Sequence, residues 1–186
     1  FELRGSGMKM AGGAKPFGVD EERIPAMLSE LAELNLDFKG FHIYCGSQNL
    51  NTDAICEAQK STFDLAFRLA EFAPGPLEWL NIGGGLGIPY FAGDRRLELG
   101  PIGDNLEELI ALSNTRLGDV DVVMELGRFL VGEAGIYVSR IVDVKTSRDS
   151  TFVVTDGGLH HHLAASGNFG QVIRRNYPVC LGNRIN

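Results

Sequence analysis

Leu77-Glu78-Trp79-Leu80-Asn81-Ile82-Gly83-Gly84-Gly85-Leu86-Gly87 runs a short apolar segment straight into three consecutive glycines. Leu77 to Ile82 has the length and composition of a buried β-strand, and Pro74-Gly75-Pro76 breaks whatever element precedes it. Without Cβ atoms, the backbone of Gly83–Gly85 can turn where other residues cannot, and its N–H groups can approach an anion closely. Read alone, the three glycines fit a flexible loop equally well. Their place at the end of a buried strand adds weight to a phosphate site. The GxxxxGK[ST] pattern is missing, so a nucleotide triphosphate is not indicated.

Upstream of this stretch, Thr52 opens a helix whose apolar side is Ile55, Phe63, Ala66, Phe67 and Ala70. Before it, Phe38 to Cys45 reads as a buried strand ending at Gly46-Ser47. Earlier still, Asp20 caps a helix marked by Ile24, Met27, Leu28, Leu31 and Leu34, with Pro25 tolerable only in its first turn. A Gly-rich loop over residues 1–18 leads to Lys15-Pro16-Phe17-Gly18. Downstream, residues 86–103 read as an irregular insertion, Asp104 caps a helix to about Ser113, and Val120 to Glu125 is again a strand. Strands and helices alternate with short connections, which predicts parallel β/α units. After Gly135 the rhythm changes. Ile136 to Lys145 and Thr151 to Thr155 are β-branched, separated only by Ser147-Arg148-Asp149-Ser150, which places a domain boundary near residue 134.

In parallel β/α folds the chemistry gathers at the carboxyl ends of the strands. Those ends carry Tyr44 and Ser47, then Gly83–Gly85, then Glu125-Leu126-Gly127-Arg128. Together they offer an aromatic face, a hydroxyl, a bare-backbone cradle, a carboxylate and a guanidinium. Glu125 follows the apolar run Val122-Val123-Met124, where a carboxylate needs a charged or protonated partner. An ion pair with Arg128 would satisfy it, and so would a protonated ring nitrogen. His42 reads as a strand-end packing residue, and Cys45 as a small buried hydrophobe.

Composition narrows the classes. Hydrophobic residues at 44% and charged residues at 22% describe a globular chain rather than a disordered one. A net charge of −7, with Arg174-Arg175 the nearest thing to a basic cluster, argues against nucleic acid. Cys45, Cys56 and Cys180 form no CxxC pair, and fit reduced thiols in a cytoplasmic protein. No apolar run is long enough to span a membrane. His160-His161-His162 would point alternately to opposite faces of a strand, so no metal site is expected there.

Gly40-Phe41-His42-Ile43-Tyr44-Cys45-Gly46-Ser47-Gln48 resembles the HxHxGSQ segment of diaminopimelate and ornithine decarboxylases. Asn81 to Tyr90, NIGGGLGIPY, looks like their glycine-rich phosphate loop, and Glu125-Leu126-Gly127-Arg128 is similar to their EPGR motif. Lys15 to Gly18 resembles their KFG turn, and Asp156-Gly157-Gly158 the start of their β domain. Five motifs in family order thus liken the chain to the fold-type III pyridoxal-phosphate-dependent decarboxylases. The resemblance implies an α/β architecture: part of an alanine-racemase-like (β/α)8 TIM barrel over residues 1–134, then the start of a β-rich (β-barrel or Greek-key) domain over 135–186. It implies pyridoxal 5'-phosphate as cofactor and a homodimer with shared active sites. By carry-over, Ser47, Gly83, Gly84, Gly85, Gly127 and Arg128 hold the phosphate, Glu125 faces the pyridine nitrogen, and Tyr44 lies against the ring. Arg174, Arg175 and Tyr177 are weaker candidates for a substrate carboxylate.

Two departures bear on the substrate. Position 44 is Tyr where the better-known decarboxylases have a stacking His, and Leu126 stands where the family usually has Pro. With the insertion from Phe91 to Arg96, these features resemble side branches of the diaminopimelate group. One such branch is associated with polysaccharide export or exosortase clusters, and another acts on aminoacyl groups held by a carrier protein. The substrate expected is therefore an amino acid or a carrier-bound aminoacyl group, and the reaction loss of its α-carboxylate. Related racemases place an arginine at the ring nitrogen, so Glu125 favours decarboxylation. The Schiff-base lysine of the family lies in a YAVKAN-like strand that this sequence does not contain, and the chain reads as a fragment of the enzyme. The other reading is a non-catalytic homologue that binds the cofactor or a partner protein. A single-domain cofactor carrier fits less well, because β segments follow residue 135.

Overall fold

Phe41, Leu80 and Val122 lie side by side at the centre of a parallel sheet built from β1 (Gly40–His42), β2 (Trp79–Asn81) and β3 (Asp121–Val123), in that spatial order. This computed structural model describes residues 1–6, 11–158, 160–161 and 178–184. Arg174, Arg175, Tyr177 and His162 lie outside the described residues. Regular pairing covers three residues per strand, fewer than the apolar runs predict. Backbone hydrogen bonds nevertheless continue past the strand ends: Ile43 N to Asn81 O at 2.9 Å, Ile82 N to Val123 O at 2.9 Å, and Glu125 N to Gly83 O at 2.8 Å. The extended segments therefore reach as far as the sequence indicates.

The connections are helical. A 3-10 turn (Glu21–Arg23) leads into α1 (Ile24–Glu33), then α2 (Thr52–Ala70) joins β1 to β2, and α3 (Leu99–Leu117) joins β2 to β3. Pro25 falls in the first turn of α1, where its missing N–H costs nothing. Asn51 caps α2, its side chain accepting from Ala54 N at 2.9 Å. The third helix starts five residues before the expected Asp104 and runs four past Ser113. Gly100, Pro101 and Gly103 fall in the stretch that reads as an irregular insertion, but Pro101 sits in the first turn of the helix, where proline is tolerated.

Successive strand residues face opposite ways. Phe41, Ile43, Leu80, Ile82, Val122 and Met124 turn to the helices and join a core with Leu28, Phe63, Phe67 and Leu109. Phe63 and Leu80 are wholly buried there. Within the helical layer, Asn105 of α3 donates to the Gln59 side chain of α2 at 2.8 Å. Gly40 is required by the approach of β1 to β2: a Cβ there would lie 1.8 Å from the Trp79 carbonyl oxygen. The described chain forms two compact units, Phe1–Pro89 with Arg95–Leu130, and Tyr90–Asp94 with Val131–Asn186. A short helix, α4 (Arg128–Val131), spans the point where the first gives way to the second.

In the second unit, β4 (Ile141–Ser147) and β5 (Ser150–Thr155) form an antiparallel hairpin, where the sequence predicts two strands with no helix between them. Arg148 and Asp149 make its two-residue turn with φ of 46° and 63°, the left-handed pair that matches strand twist. Among the described residues no helix is long and apolar enough to cross a membrane.

Three outcomes follow. Phe63→Ala is expected to cost about 3–5 kcal/mol of stability, because it empties the centre of the core. Urea denaturation measures this, and a loss under 1 kcal/mol would contradict the packing. Cys45 is buried beside Leu3, Ala54 and Ala58, and burial pushes its thiol above the ordinary range. Folding thus favours the neutral thiol. Stability is whole below the unfolded thiol value of about 8.5 and falls as pH rises through it toward the folded value. Native alkylation should label the exposed Cys180 well before Cys45.

Candidate functional site at the strand ends

The three strands end in register, with His42 beside Asn81 and Asn81 beside Val123. Two residues further along, the same face presents Tyr44, Gly83 and Glu125. This face is the one turned away from the helical core. Gly83 is buried, with φ of +68°, and a Cβ on it would lie 3.4 Å from Tyr44 Cα and 3.7 Å from Tyr44 Cδ2. Gly84 runs so close to the next strand that a Cβ would stand 2.3 Å from the Glu125 carbonyl oxygen. Gly85 also takes a left-handed φ, +102°. The glycine run is therefore a tight turn wedged between two strand ends, not a loose loop.

Glu125 is held at both oxygens. Oε2 lies 3.0 Å from His42 Nε2, and Oε1 accepts from Asn81 Nδ2 at 3.0 Å. Asn81 Oδ1 in turn accepts from Gly83 N at 2.9 Å, which fixes the orientation of its amide. The carboxylate is half exposed, and among the described residues its partners are His42 and Asn81; of the two partners the sequence allowed, the ion pair with Arg128 is not formed. His42 is no packing residue, since nearly half of its side chain is exposed and its ring meets a carboxylate.

Ser47 follows Gly46 on the loop after β1. Its backbone N donates to Ser6 Oγ at 2.9 Å, while its own Oγ is buried and has no hydrogen-bond partner among the described residues. Arg128 begins α4 just after Gly127, and its Nη1 reaches Gln48 Oε1 at 3.4 Å. Gln48 also clamps the far side of the glycine turn, donating to Ile88 O at 2.6 Å and accepting from Ile88 N at 3.2 Å. Its φ of +52° shows that the loop is held in a conformation few side chains adopt. An open groove between α2 and α3, beside Asp64, Arg68 and Arg116, contains none of these residues.

The residues singled out in the sequence thus gather at adjacent strand ends, with Arg174, Arg175 and Tyr177 outside the described part. Sequence reasoning missed the roles of His42, Asn81 and Gln48. For His42 and Asn81 a signal existed: each sits two residues before a site position, hence on the same face of the sheet. The arrangement offers a turn of bare backbone beside a hydroxyl that has no partner among the described residues, as an anion requires, and a fixed carboxylate for a cationic group nearby.

Residues 5–132 match the family model described as pyridoxal-dependent decarboxylase, pyridoxal binding domain. The chain is 38% identical over 174 residues to an L-glutamyl-[BtrI acyl-carrier protein] decarboxylase of Niallia circulans, covering 92% of this chain and 40% of that protein. It is 32% identical over 158 residues to a diaminopimelate decarboxylase of Thermoplasma acidophilum, covering 85% and 37%. Among solved structures, the diaminopimelate decarboxylase of Helicobacter pylori complexed with L-lysine superposes with a TM-score of 0.64 at 25% identity, over 82% of this chain and 36% of that one. The chain spans about two fifths of the length of these curated relatives. It belongs to the pyridoxal-dependent decarboxylases, within their pyridoxal-binding domain, and its cofactor is pyridoxal phosphate.

Proposed function

We propose that the full-length protein removes the α-carboxylate of an amino acid, or of an aminoacyl group held by a carrier protein. One observation carries this reading. The Glu125 carboxylate is held at both oxygens in the same row as Tyr44 and Gly83, beside a turn whose neighbouring hydroxyl has no partner among the described residues. The β1–α2–β2–α3–β3 order agrees with part of an alanine-racemase-like barrel, and the hairpin after residue 140 with the start of a β-rich domain. A homodimer belongs to the same reading, by likeness to the family.

The residues present fit the cofactor. Ser47 Oγ is an orphaned donor, and the glycine turn leaves no room for a Cβ at Gly84. In this assignment Ser47, Gly83, Gly84, Gly85 and Gly127 hold the phosphate, and the Arg128 guanidinium balances its charge. Tyr44 supplies an aromatic face for the ring. When bound, the cofactor supplies an electron sink for the pair released as CO₂ leaves. Glu125 places a negative charge that holds a proton at the ring nitrogen, which strengthens that sink. Its Asn81 partner keeps the carboxylate from swinging away.

The carrier-bound alternative for the substrate is favoured by the likeness to the Niallia circulans protein, which acts on a glutamyl group held by an acyl-carrier protein. A panel of free diamino acids, free glutamate and glutamyl-carrier protein, followed by CO₂ release, separates the two. Loss of activity toward every member with cofactor still bound would point to the non-catalytic homologue.

Glu125→Ala in the full-length protein is expected to lower kcat by about a hundredfold to a thousandfold, as removal of a preorganised charge does. Full turnover in that variant would remove Glu125 from the assignment. Ser47→Ala is expected to raise the Kd for pyridoxal phosphate about tenfold, measured by equilibrium dialysis. An unchanged Kd would place the phosphate elsewhere.

A further inference from the structure

We infer that His42 is a positioning residue for the Glu125 carboxylate, and acts on the cofactor ring only through it. The inference rests on the proposed role of Glu125 and extends it to His42, to which the resemblance assigned no role. An ionised carboxylate can only accept, so the 3.0 Å contact requires a hydrogen on His42 Nε2. Asn81 Nδ2 donates to the other oxygen, and its own orientation is fixed by Gly83 N. The two donors come from neighbouring strands in register, His42 on β1 and Asn81 on β2, while the carboxylate comes from the extension of β3. Three strands thus converge on one carboxylate.

This geometry divides the work. Asn81 is buried and held by backbone, so it sets where Oε1 sits. His42 is half exposed and sets the rotation of the carboxylate about that anchor through Oε2. With both oxygens engaged, the remaining lone pairs point in a restricted direction, and a cationic ring nitrogen meets a preoriented acceptor. Without His42 the carboxylate turns about the Asn81 bond and takes water instead. Because His42 is a strand-end side chain outside the hydrophobic clusters, its replacement empties no core position.

The test uses the full-length holoenzyme with His42→Leu and His42→Gln, each loaded with pyridoxal phosphate or with its analogue carrying carbon in place of the ring nitrogen. His42→Leu removes the donor, and His42→Gln restores an N–H at similar reach. With the natural cofactor, the leucine variant should lose about tenfold in kcat with little change in KM, and the glutamine variant should recover most of it. With the carbon analogue the leucine and native proteins should turn over at equal rates. A second readout is independent of turnover: the ¹⁵N signal of ring-labelled cofactor should move toward the unprotonated position in His42→Leu and return in His42→Gln. Equal losses with both cofactors, an unmoved ¹⁵N signal, or no recovery by glutamine would overturn the inference. Glu125→Ala measured alongside separates the two claims. If Glu125→Ala leaves the ¹⁵N signal unmoved, the role of Glu125 has failed. If only the His42 variants leave it unmoved, the positioning role has.

Discussion

The hydrogen bond from Glu125 N to Gly83 O, 2.8 Å long, ties the carboxylate-bearing segment to the glycine turn, and the site depends on it. It is one rung of a parallel ladder that outlasts the regular strands. Ile43 N to Asn81 O and Ile82 N to Val123 O are the rungs beside it. Each rung fixes register, and in a sheet one residue of slip moves every side chain to the other face. A slipped β3 would turn Glu125 toward Phe63 and Leu80, where an unpaired carboxylate is costly. The apolar face and the polar face therefore enforce one another.

The same ladder explains why the turn must be glycine. Two strand ends held at sheet spacing leave the connecting backbone of Gly84 against the Glu125 carbonyl, with no volume for a side chain. The lack of Cβ atoms thus meets a packing demand first, and the bare backbone it leaves is the surface on which the proposed phosphate site rests. Function and fold share these residues. Ser47 is the complementary case: its hydroxyl is buried with no partner among the described residues, as are those of Thr62 and Ser113 in the core, but it alone of the three lies beside the glycine turn, where the proposed phosphate would meet it.

Much of this was legible in the sequence. The apolar run ending in Gly83–Gly85 revealed the strand and its turn, and the alternation of Thr52–Ala70 with such runs revealed the parallel sheet. Membership of the pyridoxal-dependent decarboxylases was readable from short motifs, because those motifs are the strand ends themselves. Side-chain pairing was not readable. Glu125 and Arg128 are neighbours in sequence, yet the carboxylate pairs with His42 and Asn81, which are 83 and 44 positions away. Register between strands decides such contacts, and composition carries no record of it. The start of α3 was obscured for another reason: Gly100 and Pro101 resemble breakers in sequence but are harmless in a first turn.

The most direct measurement is a crystal structure of the full-length protein with pyridoxal phosphate bound. The ring nitrogen should lie within hydrogen-bond distance of a Glu125 oxygen, with the phosphate on Gly83–Gly85 and Ser47 Oγ. A ring nitrogen facing any other group, or a phosphate held away from the glycine turn, would contradict the assignment of Glu125 as the charge that the ring requires.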